Sequence, residues 1–294
     1  MPHPHAVVTG ATSGIGRAMV PLLLQHGHHV TIAVRDIRRG QHLAQQWQQQ
    51  TSGTVHVEHL DLADLRSVTR LIEALLGRNV SVLINNAGLS SRAAAPTAQG
   101  YEAHWGVMHL GHAALTLGLL DDLARVQGRV LTIAAYGHRY ARLDVATTTG
   151  DKPINPYAAY VQAKLAQVTF IRHLADHSPA ATRASGVTAL AAHPGMVATA
   201  LAPDLPRAVR AAAMRLAVTP ERSAQAMVEL AVAHPGAPSG SYFSYHTFTR
   251  RMPTHPAKLS PRVQRLEHSQ RVWRLTLEQL AKAGHPAKWY SHEG

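Results

Sequence analysis

Seven short runs rich in β-branched residues punctuate the chain: AVVTG (6–10), HVTIAVR (29–35), TVHVEHLDL (54–62), VSVLINNAG (80–88), RVLTIAA (129–135), GVTALAAHPG (186–195) and SYFSY (241–245). Between them lie segments with apolar residues at helical spacing, such as LADLRSVTRLIEALLG (62–77) and ERSAQAMVELAVAH (221–234). Runs of the first kind read as strands and segments of the second kind as amphipathic helices. Where strand and helix alternate from end to end, each helix carries the chain back before the next strand begins, so successive strands pair in parallel. The expected fold class is α/β, a doubly wound parallel sheet of about seven strands with helices on both faces. A chain of 294 residues can bury one large core of that kind, and nothing in its composition divides it. The expectation is a single domain over 1–294, with residues 200–220 and 246–294 as a substrate-side lid and a C-terminal extension.

Composition removes several kinds of chemistry. There is no cysteine, so disulfides, thiolate zinc sites and cysteine nucleophiles are excluded, and a reducing cytoplasm fits. MPHPHAVVTG has neither a basic nor an apolar leader region, and no apolar run reaches the length of a membrane span, which reads as soluble and not exported. The 21 histidines include no HExxH, and His109 and His112 lack a carboxylate pair nearby, so no metal is expected. The excess of 29 basic over 17 acidic residues, a formal charge of +12, raises the question of nucleic acid or lipid. The positives are scattered, however, and the densest stretch, KLSPRVQRLEHSQRVWRL (258–275), reads as a helix with a solvated basic face. Neither a nucleic-acid nor a membrane partner is expected.

In a parallel sheet of this kind ligands bind beyond the carboxyl ends of the strands. Four such ends carry motifs: TGATSGIG, NNAG, AAYGH and HPGM. Gly10, Gly14 and Gly16 permit a tight turn and close approach of a pyrophosphate to the N-terminus of the helix that follows. Within NPYAAYVQAK, Tyr160 and Lys164 stand one helical turn apart. The turn-rich stretch 143–156 and the Arg/Ala segment 203–220 are expected to border the cleft.

The three-residue gap between the first two glycines, Asp61 after the third run, Asn85 to Gly88 after the fourth, Tyr160 with Lys164, and Pro194 with Gly195 occur in an order that resembles the short-chain dehydrogenase/reductase family. AVRDIRRG, GYEAHWGVMHLGHAALT and AYVQAKLAQVTF look most like its retinol-dehydrogenase-like branch, and the likeness covers about residues 5 to 280. The resemblance implies a Rossmann fold and an NAD(P)-dependent reaction on a small molecule, in a homodimer or homotetramer. It implies Tyr160 as acid/base and Lys164 as the charge that lowers its pKa and holds the nicotinamide ribose. It places Gly10, Ser13, Gly14, Ile15, Gly16, Arg17, Arg35, Asp61, Leu62, Asn86, Ala87, Gly88, Tyr160, Lys164, Pro194, Gly195, Val197 and Thr199 around the cofactor. Arg35 at the end of the second strand, with Arg17, points to the 2′-phosphate of NADP(H). A strand ending one residue later would put Asp36 there and favour NAD.

Two positions depart from the family. Where it carries a serine that hydrogen-bonds the substrate oxygen this chain has Ala135, and where it carries an asparagine that holds a water in the proton path it has Met108. Thr132, Tyr136, His138 and Tyr157 are near enough in sequence to compensate. Three functions are therefore weighed: an NADP(H)-dependent oxidoreductase of a carbonyl/alcohol pair; a redox-neutral isomerase, dehydratase or cyclase of specialised metabolism that retains NADP; and a silent NADP(H)-binding protein.

Overall fold

The computed structural model describes residues 3–51, 53–89, 94–176, 186–197, 217–234, 236–245 and 255–286. The expected cofactor residue Thr199, most of the 200–220 segment, and 246–254 and 287–294 of the C-terminal extension lie outside the described residues.

All seven expected runs form strands: β1 (His5–Thr9), β2 (His29–Val34), β3 (Val55–His59), β4 (Val80–Asn85), β5 (Arg129–Ile133), β6 (Thr188–His193) and β7 (Tyr242–Ser244). They make one sheet in the order β3-β2-β1-β4-β5-β6-β7, parallel at every pairing. The strand order reverses between β1 and β4. Both faces of the central strands are covered, which is why those strands read as almost unbroken apolar runs. On one face Val7, Leu83, Val130 and Ala189 pack against α3 (Leu65–Leu75), α4 (Gly111–Gly118) and α6 (Pro156–Asp176). On the other, Val8, Ile84, Leu131 and Leu190 meet α1 (Gly14–Gln25), α2 (Ile37–Gln50) and α7 (Pro220–Val228). A short helix, α5 (Leu120–Arg125), leads into β5.

Three local features differ from a plain sequence reading. The basic stretch 258–275 is two helices, α8 (Pro261–Gln264) and α9 (Leu266–Lys282), because Arg265 is extended (φ −76°, ψ 120°) between them. Helix α9 exposes Arg271 and Arg274 while burying Val272 and Trp273, and Trp273 stacks on Phe170 of α6 at 5.1 Å. Its basic face is the expected solvated one, and its apolar face belongs to the main core. Pro21 sits inside α1, which runs through it one backbone hydrogen bond short, since proline has no N–H to offer the preceding turn. The helix that follows β4 opens with a π-helical turn, Trp105–Leu110, before α4 begins. Among the described residues no helix is long and apolar enough to cross a membrane.

The sheet's reversal depends on one close approach. Gly10 ends β1 at φ +69°, and a Cβ there would lie 2.8 Å from Cα of Ala87, just beyond β4. Left-handed backbone alone costs a residue with a Cβ about 1–2 kcal/mol, and overpacking against main chain adds a similar amount. Gly10→Ala is therefore expected to lower unfolding free energy by about 2–4 kcal/mol in urea denaturation, with an unchanged m-value.

Candidate active site

The turn after β1 leads straight into α1. Ser13 is the N-cap of that helix, and its side chain makes no capping hydrogen bond, so the first-turn amides of Gly14, Ile15 and Gly16 face outward with the positive end of the helix dipole. Gly16 has no room for a side chain, since a Cβ would stand 2.5 Å from the Gly10 carbonyl oxygen and 2.5 Å from Nδ2 of Asn86. The same Asn86 amide donates to the carbonyls of Thr9 (2.9 Å) and Gly10 (3.3 Å). The turn and the β4 end are thus stitched into one concave wall, a cradle that suits the pyrophosphate of a dinucleotide.

Strand β2 ends at Val34, one residue short of the expected end, so Arg35 is the first residue beyond it, and Arg35 is exposed. Asp36 is the N-cap of α2, and its carboxylate accepts the Arg39 amide at 3.0 Å. That engagement draws Asp36 into the helix start and leaves Arg35 and the exposed Arg17 as the cationic groups beside the wall. Asp61, after β3, accepts the Ala63 amide at 3.0 Å, and Leu62 is buried. Gly88 is exposed beyond β4, with Cε of Met108 3.9 Å from where its Cβ would be. After β6, the Pro194 carbonyl accepts the Ser223 hydroxyl at 2.8 Å, Gly195 turns the chain at φ +86°, and buried Val197 bridges to Val218.

On α6, Tyr160 is half-buried and Lys164 buried. The lysine ammonium lies 5.8 Å from the centre of the Tyr160 ring and donates to the Ile133 carbonyl at 2.6 Å. The ring edge of His104, itself bonded to Glu102 at 2.8 Å, meets Tyr160 with 6.4 Å between ring centres. Burial first, and then the Tyr157 phenol, push Tyr160 up to about 12. Burial takes Lys164 down to about 7. Tyr160 is therefore protonated across the neutral range.

These residues gather at the carboxyl ends of β1 to β6. A family model, short chain dehydrogenase, matches residues 4–210. The chain belongs to the short-chain dehydrogenase family. It is 36% identical to mouse (Mus musculus) retinol dehydrogenase 11 over 201 residues, 67% of this chain and 62% of that protein. It is 34% identical to bovine (Bos taurus) retinol dehydrogenase 12 over 282 residues, 93% and 85% of the two chains. The match to the first of these spans a little under two thirds of its length. Among solved structures, an uncharacterised protein of Mycobacterium paratuberculosis superposes with a TM-score of 0.75 at 30% identity, covering 95% of this chain and 96% of the other. A gluconate 5-dehydrogenase of Beutenbergia cavernae with NADP bound at low occupancy follows at a TM-score of 0.63 and 29% identity, covering 82% and 94%.

In this short-chain dehydrogenase the two departing positions are apolar and buried, Ala135 at 8% and Met108 at 0% exposure. Of the four groups near enough in sequence to compensate, two are buried. Thr132 accepts a long hydrogen bond from Asn85 (3.4 Å), which leaves its hydroxyl proton to donate, and His138 donates from Nδ1 to the Ala135 carbonyl at 2.8 Å while its Nε2 is buried without a hydrogen-bond partner. Tyr136 and Tyr157 are exposed, at 47% and 62%. Sequence reasoning missed His193, the last residue of β6, whose ring lies 6.3 Å from that of Tyr136 and whose Nδ1 is buried without a hydrogen-bond partner. It also missed Thr9, His112 and Gln167, which no chemical motif marks. Burial takes His112 and His193 down to about 4, the field of Lys164 contributing to both, so both are neutral at pH 7. Among the described residues no cluster of three or more potential metal ligands occurs.

The lysine shift fixes a stability trend. Lys164 is charged below about pH 7 in the folded protein, whereas an unfolded lysine stays charged to about pH 10.4. Between those values the unfolded chain binds more protons, so stability rises with pH. Denaturant unfolding at pH 7 and pH 10 is expected to show a gain at the higher pH that Lys164→Met lacks.

Proposed function

We propose that this short-chain dehydrogenase reduces a carbonyl compound with NADPH, Tyr160 giving its proton to the substrate oxygen. The observation that carries this reading is a phenol kept protonated by burial beside the buried Lys164. A neutral tyrosine suits reduction, in which oxygen gains a proton, better than alcohol oxidation, which needs a base. The cradle built by Gly10, Gly14, Gly16 and Asn86 fits a dinucleotide, and the bound cofactor supplies hydride. The preference for the 2′-phosphate rests on exposed Arg17 and Arg35, with Asp36 occupied as a helix cap. Around it we place Ser13, Ile15, Asp61, Leu62, Ala87, Gly88, Pro194, Gly195, Val197 and Thr199 as cofactor contacts. Lys164, near its pKa at neutrality, holds the ribose and supplies positive charge as the phenol loses its proton. The same reading includes a cytoplasmic homodimer or homotetramer acting on a small molecule.

Ala135 leaves the substrate oxygen without the family's serine hydroxyl. One such donor is worth roughly 3 kcal/mol, or about a hundredfold in rate. That deficit favours a second reading in which NADP stays bound and Tyr160 moves a proton without hydride transfer. Deuterium from labelled NADPH in the product separates the two: its presence supports reduction, and turnover without it supports the redox-neutral reaction.

Tryptophan-sensitised fluorescence titration is expected to show micromolar NADPH binding, about tenfold or more weaker NADH binding, and loss of that preference in Arg35→Ala. Tyr160→Phe is expected to lower carbonyl reduction at least a hundredfold with NADPH affinity kept, and Ala135→Ser to raise it by tenfold or more. Equal binding of the two cofactors would reject the NADPH preference, and full activity in Tyr160→Phe would reject the proton donor.

A further inference from the structure

A π-helical turn inside a helix shifts one residue out of the i→i+4 register and frees carbonyl groups at its end. In the turn Trp105–Leu110 the carbonyl of Met108 receives two side-chain donors. Nε2 of Gln167 on α6 reaches it at 2.6 Å, and Nδ1 of His112 at 3.0 Å. A carbonyl can only accept, so His112 carries its proton on Nδ1 and presents Nε2 as an acceptor. Nε2 lies 3.0 Å from Oγ1 of Thr9, which donates to it in preference to the Ile84 carbonyl at 3.4 Å. The Thr9 hydroxyl in turn accepts the backbone amides of Asn86 (2.9 Å) and Ala87 (3.0 Å). Its one donor and two lone pairs are all engaged.

An unbroken buried chain therefore runs from α6 through the Met108 carbonyl and His112 to the last residue of β1, and on to the segment after β4. One end is three residues from Lys164; the other holds the two walls of the dinucleotide cradle. With two side-chain donors on it, the Met108 carbonyl has no lone pair left for a water. We infer that Gln167 and His112 are positioning residues that join the helix carrying Tyr160 and Lys164 to the cofactor turn, so that cofactor binding and alignment of that helix are coupled. The inference rests on the proposal that NADPH occupies the cradle. Buried hydrogen bonds polarise one another, and a half-satisfied chain is worse than none, so loss of any one member is felt at both ends.

The test is an NADPH titration of the protein and four variants, with far-UV circular dichroism to confirm folding. Gln167→Met keeps the side-chain length and removes the donor, and Thr9→Val removes the hydroxyl at the far end. Each is expected to weaken NADPH about tenfold, and the double variant to be no weaker than the poorer single, because both cut the same chain. A protonated carboxyl in Gln167→Glu can still donate to the Met108 carbonyl, so its NADPH affinity is expected to approach that of the wild type at the acid end and to fall relative to it as the carboxyl ionises. That ratio also serves should Gln167→Met fail to fold. Unchanged affinity in Gln167→Met, strictly additive losses, or a pH-independent ratio for Gln167→Glu would overturn the coupling while leaving NADPH binding intact. Failure of the wild type to bind NADPH would overturn both.

Discussion

The place where β1 and β4 part is the constraint on which this molecule turns. There the strand order reverses, and a crevice opens that no crossover helix fills. The chain holds that crevice at a fixed width with a few atoms: the missing Cβ of Gly10 against Ala87, the Asn86 amide on the carbonyls of Thr9 and Gly10, and the Thr9 hydroxyl under two backbone amides. These groups are buried or half-buried, so each polar atom must find its partner within the protein. Satisfying them shapes the wall against which a dinucleotide lies.

Burial also decides the acid/base chemistry on α6. The same removal from water pushes a phenol up and an ammonium down, because in each case it disfavours the charged form. Tyr160 is thus held protonated beside a lysine brought close to neutrality. His112 and His193 are kept neutral for the same reason, partly because the lysine is close.

Much of the architecture was legible in one dimension. Each of the seven strands falls on one of the seven β-branched runs, β1 starting one residue earlier at His5, and the doubly wound sheet followed from their alternation with helices. The glycine and asparagine motifs follow β1 and β4, and Tyr160 and Lys164 lie on α6. Boundaries were less legible: β2 stops at Val34, and the basic C-terminal stretch breaks at Arg265, because strand and helix ends answer to neighbours as much as to their own residues. The departures at Ala135 and Met108 were visible as letters, and their consequence was not. Only the fold shows that Thr132 and His138 are buried and which hydrogen bonds they make.

By itself the sequence determined the fold class and the family, since periodicity and short-range motifs are local properties that survive without coordinates. The direction of the Tyr160 shift and the chain from Gln167 to Thr9 were decided by tertiary structure alone, whereas the Asp36 cap is a local contact between exposed residues three apart. The first depends on burial and the second on long-range juxtaposition. Gln167 and Met108 are 59 residues apart, and His112 and Thr9 are 103 apart, so no local pattern links them. A packed interior brings them together and leaves each buried polar atom only the partners that packing supplies.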